Sequence, residues 1–350
     1  MSDGLDGVGA EVEAVITRFL EQQEPLFVRL GLEDHFRAAR ALVANPLGKR
    51  FRSRFCYWGW RAAGGAADAG TVYTVGAALE VTQTAFLLYD DVMDRGLMRR
   101  GRPTARALLA TRHAQEGWYG SSGQYGDSGA IALGALCQDW AMALLDSLPP
   151  TDGLQVVRDL WHAVNRDTCC GQILELVAGA RRDFDYEQAL LIAQYKNGVY
   201  YIAPPLRMGA ALAGAAPEVD LAYLTAGSLL SEGHQFRNDL LGAFGDGRTH
   251  GSFDDLGEGK PTALLAHALR AADDEQRTQL LALYGSDGLD SQGAEEIRRI
   301  LQETGAAKAI EDEIDRRYEQ ALTALNAAPL TEEGRDAIVS LARQALYHRY

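Results

Sequence analysis

Cysteine is scarce in this sequence. Cys56, Cys137, Cys169 and Cys170 are the only four in 350 residues, and none forms a CxxC pair. That excludes a disulfide framework and reads as structural thiols in a reducing compartment. Basic charge is also short: 34 Lys and Arg stand against 48 Asp and Glu, a net charge of −14. Nucleic acid is thereby excluded as a general partner, and attraction to an anionic membrane is disfavoured. The seven histidines show no HExxH or paired-ligand spacing, so zinc is not expected, and His162, His234 and His250 read as structural or loop residues. No uninterrupted apolar run approaches the roughly 20 residues that span a bilayer. The N-terminus, MSDGLDGVGAEVEAVITRF, is acidic and lacks the basic-then-apolar order of a secretion signal. Together these absences predict a cytoplasmic protein without a transmembrane segment. Alternating β-branched runs and hairpin dipeptides are nearly missing, which argues against a large sheet.

What the chain does carry is helical periodicity. EVEAVITRFLEQQEPLFVRL, YTVGAALEVTQTAFLLYDDVM, AIALGALCQDWAMALLDSL, LQVVRDLWHAVNRDTCCGQILELVAGA and DLAYLTAGSLLSEGHQFRNDLLGAF all space apolar residues by three and four. GWYGSSGQYGDSGA (117–130) and GDGRTHGSFDDLGEGK (245–260) read as loops. The two prolines of IAPPLRMGAAL predict a helix break just before them. The fold class is all-α. One domain, 1–350 with a core over about 24–345, closes in a charged helical tail from about residue 290.

At the end of the apolar run AFLLY, three aspartates and then two arginines crowd into DDVMDRGLMRR. Asp90 and Asp94 are one helical turn apart and face the same way, with Asp91 to one side. Carboxylates held this close repel unless a cation lies between them. Oxygen ligands at the inner end of a buried helix favour a hard divalent ion, Mg²⁺, with a phosphate as its further partner. Arg99 and Arg100 then form the other half of an anion clamp. A second basic cluster, GKRFRSR, supplies Lys49, Arg50, Arg52 and Arg54. A second polar patch, HQFRNDLLGAFGD, holds Asn238, Asp239 and Asp246, and paired helices of a bundle commonly hold metal from such positions.

In order along the chain, these segments resemble the trans-isoprenyl diphosphate synthases of the polyprenyl synthetase family, above all the actinobacterial geranylgeranyl type. LGKRFRSR is similar to the family's GGKRLRP, and DDVMDRGLMRRGRPT to its first aspartate-rich motif. GQILEL resembles GQxLDL, YKNGVYYIAPPLRMGA resembles KTxxY…PLxxGA, and HQFRNDLLGAFGD…DDLGEGKPT resembles FQxxDDLLGxFGD…DDLxEGKxT. The resemblance implies an all-α bundle around a central active-site cavity, as a homodimer. It implies that Asp90, Asp91 and Asp94, with Asn238 and Asp239, bind Mg²⁺, and that Arg99 reaches the allylic diphosphate, which is dimethylallyl, geranyl or farnesyl diphosphate. Lys49, Arg52, Gln83 and Arg100 hold isopentenyl diphosphate on this reading. Lys196 and Lys260 steady the departing diphosphate, Gln235 sits beside the second motif, and Phe86 stops growth at farnesyl or geranylgeranyl length.

Several residues depart from the family pattern. Asn238 stands for an aspartate, Asn197 for a threonine, Glu175 for an aspartate, Ala135 for an aspartate and Tyr89 for a histidine. The lysine of TGKP is missing from RTHGSFDD, where His250 or Ser252 falls near its place. Three readings therefore stay open: an elongating prenyltransferase; a relative that ionises an allylic diphosphate and then cyclises it or prenylates another acceptor; and a non-catalytic partner subunit. The isopentenyl-site residues count against the second, and the intact DDVMD and RRG segments against the third.

Overall fold

The structure, a computed structural model, describes residues 2–44, 49–65, 69–99, 101–245, 254–286 and 288–347. The chain divides into two compact units, 1–57 with 66–154 and 58–65 with 155–350. The first holds α1 (Ser2–Leu30), α2 (Glu33–Val43), most of α3 (Phe51–Ala62) and α4 (Gly70–Met93). A short antiparallel ladder of β1 (Met98–Arg99) and β2 (Arg102–Pro103) follows, then α5 (Ala105–Gln115) and α6 (Ser122–Asp146).

Helix α4 is the axis of this unit. Val75 through Thr82 are all buried, and a helix covered on every face belongs in a core. Helix α6 packs against it and buries Leu133, Gly134, Cys137 and Leu144, while its Trp140 meets the rings of Phe19, Phe27 and Phe36 on α1 and α2. Gly134 makes room for the Tyr89 ring: a Cβ there would stand 2.5 Å from Tyr89 Cε1. Helix α6 is also the one described helix long and apolar enough to cross a bilayer, because its polar residues are too sparse to lower its mean hydropathy. Here it packs against α4 and α5.

One expectation is overturned in this unit. Residues 122–130 are helix, not loop: Ser121 caps α6 by accepting the Gln124 amide at 3.3 Å. The glycines that suggested a loop serve a close helix crossing instead. A Cβ at Gly126 would meet the Arg106 carbonyl oxygen at 2.3 Å, and one at Gly129 would meet Leu109 Cδ1 at 2.6 Å. Their cost in helix propensity, about 1 kcal/mol each, is offset by letting α5 approach.

The second unit holds the end of α3 and α7 (Asp152–Arg181), α8 (Tyr186–Ala193), a π-turn (Gln194–Gly198), α9 (Ala203–Leu212) and α10 (Pro217–Phe244). It continues through α11 (Asp254–Glu258), α12 (Ala263–Ala271), α13 (Asp274–Leu283), α14 (Ser291–Glu303), α15 (Ala306–Ala327) and α16 (Glu332–Tyr347). Pro204 and Pro205 open α9, where a missing amide hydrogen costs nothing. Helix α10 packs between α9 and α15, and Gly227 lets it approach, since a Cβ there would lie 2.4 Å from Ala203 Cα. Tyr223 is wholly buried and satisfies its hydroxyl on the Gly59 carbonyl at 3.0 Å. The last carbonyls of α16 take side-chain partners from α10: His234 Nδ1 is 3.1 Å from Ala345 O, and Arg237 Nε donates to Leu346 O at 2.7 Å. That satisfies groups a helix end cannot pair by itself.

Cys56 and Cys137 are buried free thiols and Cys169 and Cys170 are exposed ones; burial pushes the Cys137 thiol up to about 12.

Candidate active site

The last turn of α4 carries Asp90 and Asp91, with Asp94 closing the helix by donating its amide to the Asp90 carbonyl. Arg95 then turns the chain in the left-handed region, φ +53°. Gly96 N–H returns to Asp91 O at 2.9 Å. The ladder β1–β2 swings Arg99 back over the helix end, where Nε donates to Asp91 Oδ1 at 2.7 Å and Nη2 to Asp90 Oδ2 at 2.9 Å. One guanidinium thus spans two carboxylates.

Thr104 holds this return in place. Its amide donates to Leu97 O at 3.0 Å and its hydroxyl to Gly96 O at 2.9 Å, while the hydroxyl oxygen caps α5 by accepting Ala107 N–H. Its role was missed in the sequence, although a threonine just before a helical run is an N-cap signal.

Asp91 is 1% exposed. Burial raises its pKa to about 6, with the negative charges of Asp90 and Asp94 adding to the rise and Arg99 opposing it. Its Oδ2 is buried without a hydrogen-bond partner. Burial works against the charge of Arg99 too, but Asp90 and Asp91 outweigh it and its pKa moves up. Among the described residues no three acidic, histidine or cysteine groups converge on one point. The donor set nevertheless fits a hard divalent cation: carboxylate oxygens only, one of them buried and orphaned, at the inner end of an apolar helix.

Elsewhere in the first unit, Arg52 is 8% exposed at the start of α3 and Lys49 is exposed just before it. Arg50 is not available to a ligand in the same way, because Glu13 takes its guanidinium at 2.5 Å. Gln83 and Phe86 lie half-buried on α4, two turns and one turn before Asp90. Arg100 lies outside the described residues, as do Asp246, His250 and Ser252.

In the second unit Lys196 rises from the π-turn and pairs with Glu175 Oε2 at 2.5 Å. The turn is pressed onto α7 at Gly171, where a Cβ would stand 2.2 Å from the Lys196 amide nitrogen. Asn197 donates to Gln235 Oε1, and Gln235 Nε2 donates to Asp239 Oδ1 at 2.6 Å. Asp239 is 5% exposed. Asn238 Nδ2 lies 3.3 Å from His234 Nε2, and the His234 ring stacks on Tyr201 with centroids 3.8 Å apart. Lys260 pairs with Glu258 at 2.6 Å. Glu175 and Asn197, noticed in the sequence only as departures, are therefore the partners that hold Lys196 and Gln235.

A sequence model described as polyprenyl synthetase matches residues 33–303. The chain belongs to the polyprenyl synthetase family. It is an enzyme of prenyl transfer. Among solved structures it is similar to a geranylgeranyl pyrophosphate synthase from Corynebacterium glutamicum, crystallised with isoprenyl diphosphate and magnesium. The two share 30% identity and a TM-score of 0.94 over 99% of each chain. It is 28% identical to a geranylgeranyl diphosphate synthase of Mycobacterium tuberculosis over 92% of this chain and 87% of that one. It is 27% identical to the octaprenyl diphosphate synthase of Escherichia coli over 96% and 94%. These relatives differ in the product their names give, so family membership does not fix the product length of this prenyltransferase.

Against that family, two departures acquire local reasons. Tyr89 has its ring room from Gly134 on α6, and Ala135, beside that glycine, is exposed.

Proposed function

We propose that this prenyltransferase joins isopentenyl diphosphate to an allylic diphosphate of short chain, with magnesium as its cation. Asp90, Asp91 and Asp94, with Asn238 and Asp239, would hold the metal, which when bound neutralises the diphosphate as it leaves the allylic carbon. Arg99 binds that same diphosphate, and Lys196 and Lys260 steady its negative charge, with Gln235 orienting Asp239. Lys49, Arg52, Gln83 and Arg100 bind isopentenyl diphosphate, whose double bond attacks the allylic carbon before a proton is lost. Fixed cations in a water-poor site act most strongly on charge that develops during reaction. Phe86 bounds the growing chain at farnesyl or geranylgeranyl length. The reading includes a cytoplasmic homodimer, to be checked by sedimentation.

The observation that carries it is the Arg99 fork across Asp90 and Asp91, which pairs a cation and acids suited to a metal diphosphate. Purified protein should be incubated with magnesium and each of dimethylallyl, geranyl, farnesyl and geranylgeranyl diphosphate, with and without isopentenyl diphosphate, and products weighed by mass spectrometry. Elongation that needs both substrates supports the proposal. A hydrocarbon or alcohol from the allylic substrate alone would replace it with ionisation followed by cyclisation. Inertness relieved only by a second protein would replace it with a partner-subunit role.

A further inference from the structure

Arg50 sits at a backbone φ of +50°, a left-handed conformation that long side chains seldom hold unless their surroundings impose it. It is also the residue before α3, a position where Ser, Thr, Asp or Asn would cap the helix and arginine cannot. The cap comes from α4 instead. Glu80 Oε1 accepts both the Ser53 amide and the Ser53 hydroxyl, each at 3.1 Å. The other oxygen of Glu80 lies 3.6 Å from the Arg50 guanidinium, which also donates to Glu13 at 2.5 Å and to the Val43 carbonyl at 2.8 Å. The Ser53 hydroxyl oxygen also lies 3.0 Å from Arg50 O, so its one hydrogen is shared between that carbonyl and Glu80, and Arg54 N–H donates to Arg50 O at 3.1 Å. Helices α3 and α4 touch here because Gly76 has no side chain: a Cβ would stand 2.9 Å from Ser53 Cβ.

Glu80 is 7% exposed, and a carboxylate buried that deep costs free energy unless it is paired and hydrogen-bonded. Its partners all belong to the entry of α3. Lys49 and Arg52 lie one residue before and two residues after Arg50, so the torsion imposed on Arg50 sets how the two are presented. The negative charge of Glu80 is meanwhile spent on a guanidinium and a helix N-terminus. It therefore does not repel an anion met by its neighbours.

We infer that Glu80 is a positioning residue: acting through Arg50 and Ser53, it holds Lys49 and Arg52 in the arrangement that grips the diphosphate of isopentenyl diphosphate. The inference rests on the function proposed above and adds a residue to it. Glu80→Gln keeps size and one acceptor but leaves Arg50 with Glu13 as its remaining carboxylate. Ser53→Ala removes a single hydroxyl, and Lys49→Ala/Arg52→Ala removes the grip itself.

The test combines steady-state kinetics with calorimetric binding of inorganic pyrophosphate in EDTA, on the full-length protein. In Glu80→Gln the KM for isopentenyl diphosphate should rise about tenfold, the size expected for about 1.4 kcal/mol of lost charged hydrogen bonding. The KM for the allylic substrate should stay within about twofold and kcat within about threefold, with pyrophosphate affinity falling as KM rises. Ser53→Ala should move the same constant in the same direction by a smaller factor, and it decides the matter if Glu80→Gln does not fold. Both KM values rising together, or a loss of melting temperature without any split between substrates, overturns the positioning role while leaving the proposed function standing. Wild-type protein that neither elongates nor binds pyrophosphate overturns the proposed function and this inference with it.

Discussion

Arg99 and Asp91 are joined by a 2.7 Å hydrogen bond at a point where the aspartate is almost fully buried and its second oxygen has no partner. The same guanidinium reaches Asp90 at 2.9 Å. A single cation thus sits between the acids that would otherwise repel one another, at the place where the proposed reaction needs both a metal site and a diphosphate grip.

Replacing Arg99 with glutamine should therefore cost activity on two counts. Elongation should fall about 10²–10³-fold, the usual loss for one preorganised charge-stabilising donor. Arg99→Lys should recover only part, since an ammonium cannot span two carboxylates with a fork. Steady-state rates at saturating magnesium check this; a rate within twofold of wild type in the glutamine variant would remove Arg99 from the site.

Asp91 should leave a pH signature. Its folded pKa, near 6, lies above its ordinary value of 3.8 because burial disfavours the charged form. Between those values the folded state holds a proton the unfolded state has released. Stability from this group is full below the lower value and is lost as pH rises through the upper one. In EDTA, the melting temperature of wild type relative to Asp91→Asn should fall from about pH 4 to about pH 7. Magnesium should restore it at neutral pH in wild type alone, because a ligand that binds only the folded state stabilises it. A difference that is flat with pH would contradict the burial of this charge.

Gly171→Ala should disturb the π-turn. The added Cβ would lie 2.2 Å from Lys196 N and 2.3 Å from Tyr195 C, both backbone atoms. Overpacking of this kind costs about 1–3 kcal/mol, and here it would also displace Lys196 from Glu175. A lowered melting temperature with a larger loss of kcat than of substrate affinity is expected. Unchanged kinetics would show that the position of Lys196 does not matter.

Asn238→Asp should lower the magnesium requirement. It restores a carboxylate beside Asp239, and half-saturating magnesium should drop about three- to tenfold, a coupling of about 1 kcal/mol. Asparagine is a neutral oxygen ligand, so wild type needs more metal rather than none. Titration of elongation against magnesium measures it; a higher requirement in the variant would mean that the Asn238–His234 contact serves another purpose.

How far the sequence could be read depended on how local each relationship was. The placing of Asp90 and Asp91 at the end of an apolar helix was legible because periodicity along the chain sets it. The break before Pro204 was legible for the same reason. The glycines of 117–130 misled, because composition records that a glycine is flexible and not that Arg106 and Leu109 press against it. Lys196–Glu175 and Asn197–Gln235 span 21 and 38 residues, and no periodicity couples residues so far apart. Nothing local in the sequence singles out Glu80, because Ser53 and Arg50 meet it only in the fold.

By itself the sequence determined an all-α chain, the order of its acidic and basic motifs, and the family to which it belongs, because periodicity and motif spacing are properties of the chain read along its length. Only the tertiary structure decided which charges neutralise which: Arg99 with Asp90 and Asp91, Arg50 with Glu13 and Glu80, Lys196 with Glu175. The reason is physical. Coulomb and hydrogen-bond energies depend on distance through space and on burial, and neither exists until helices distant in sequence have packed.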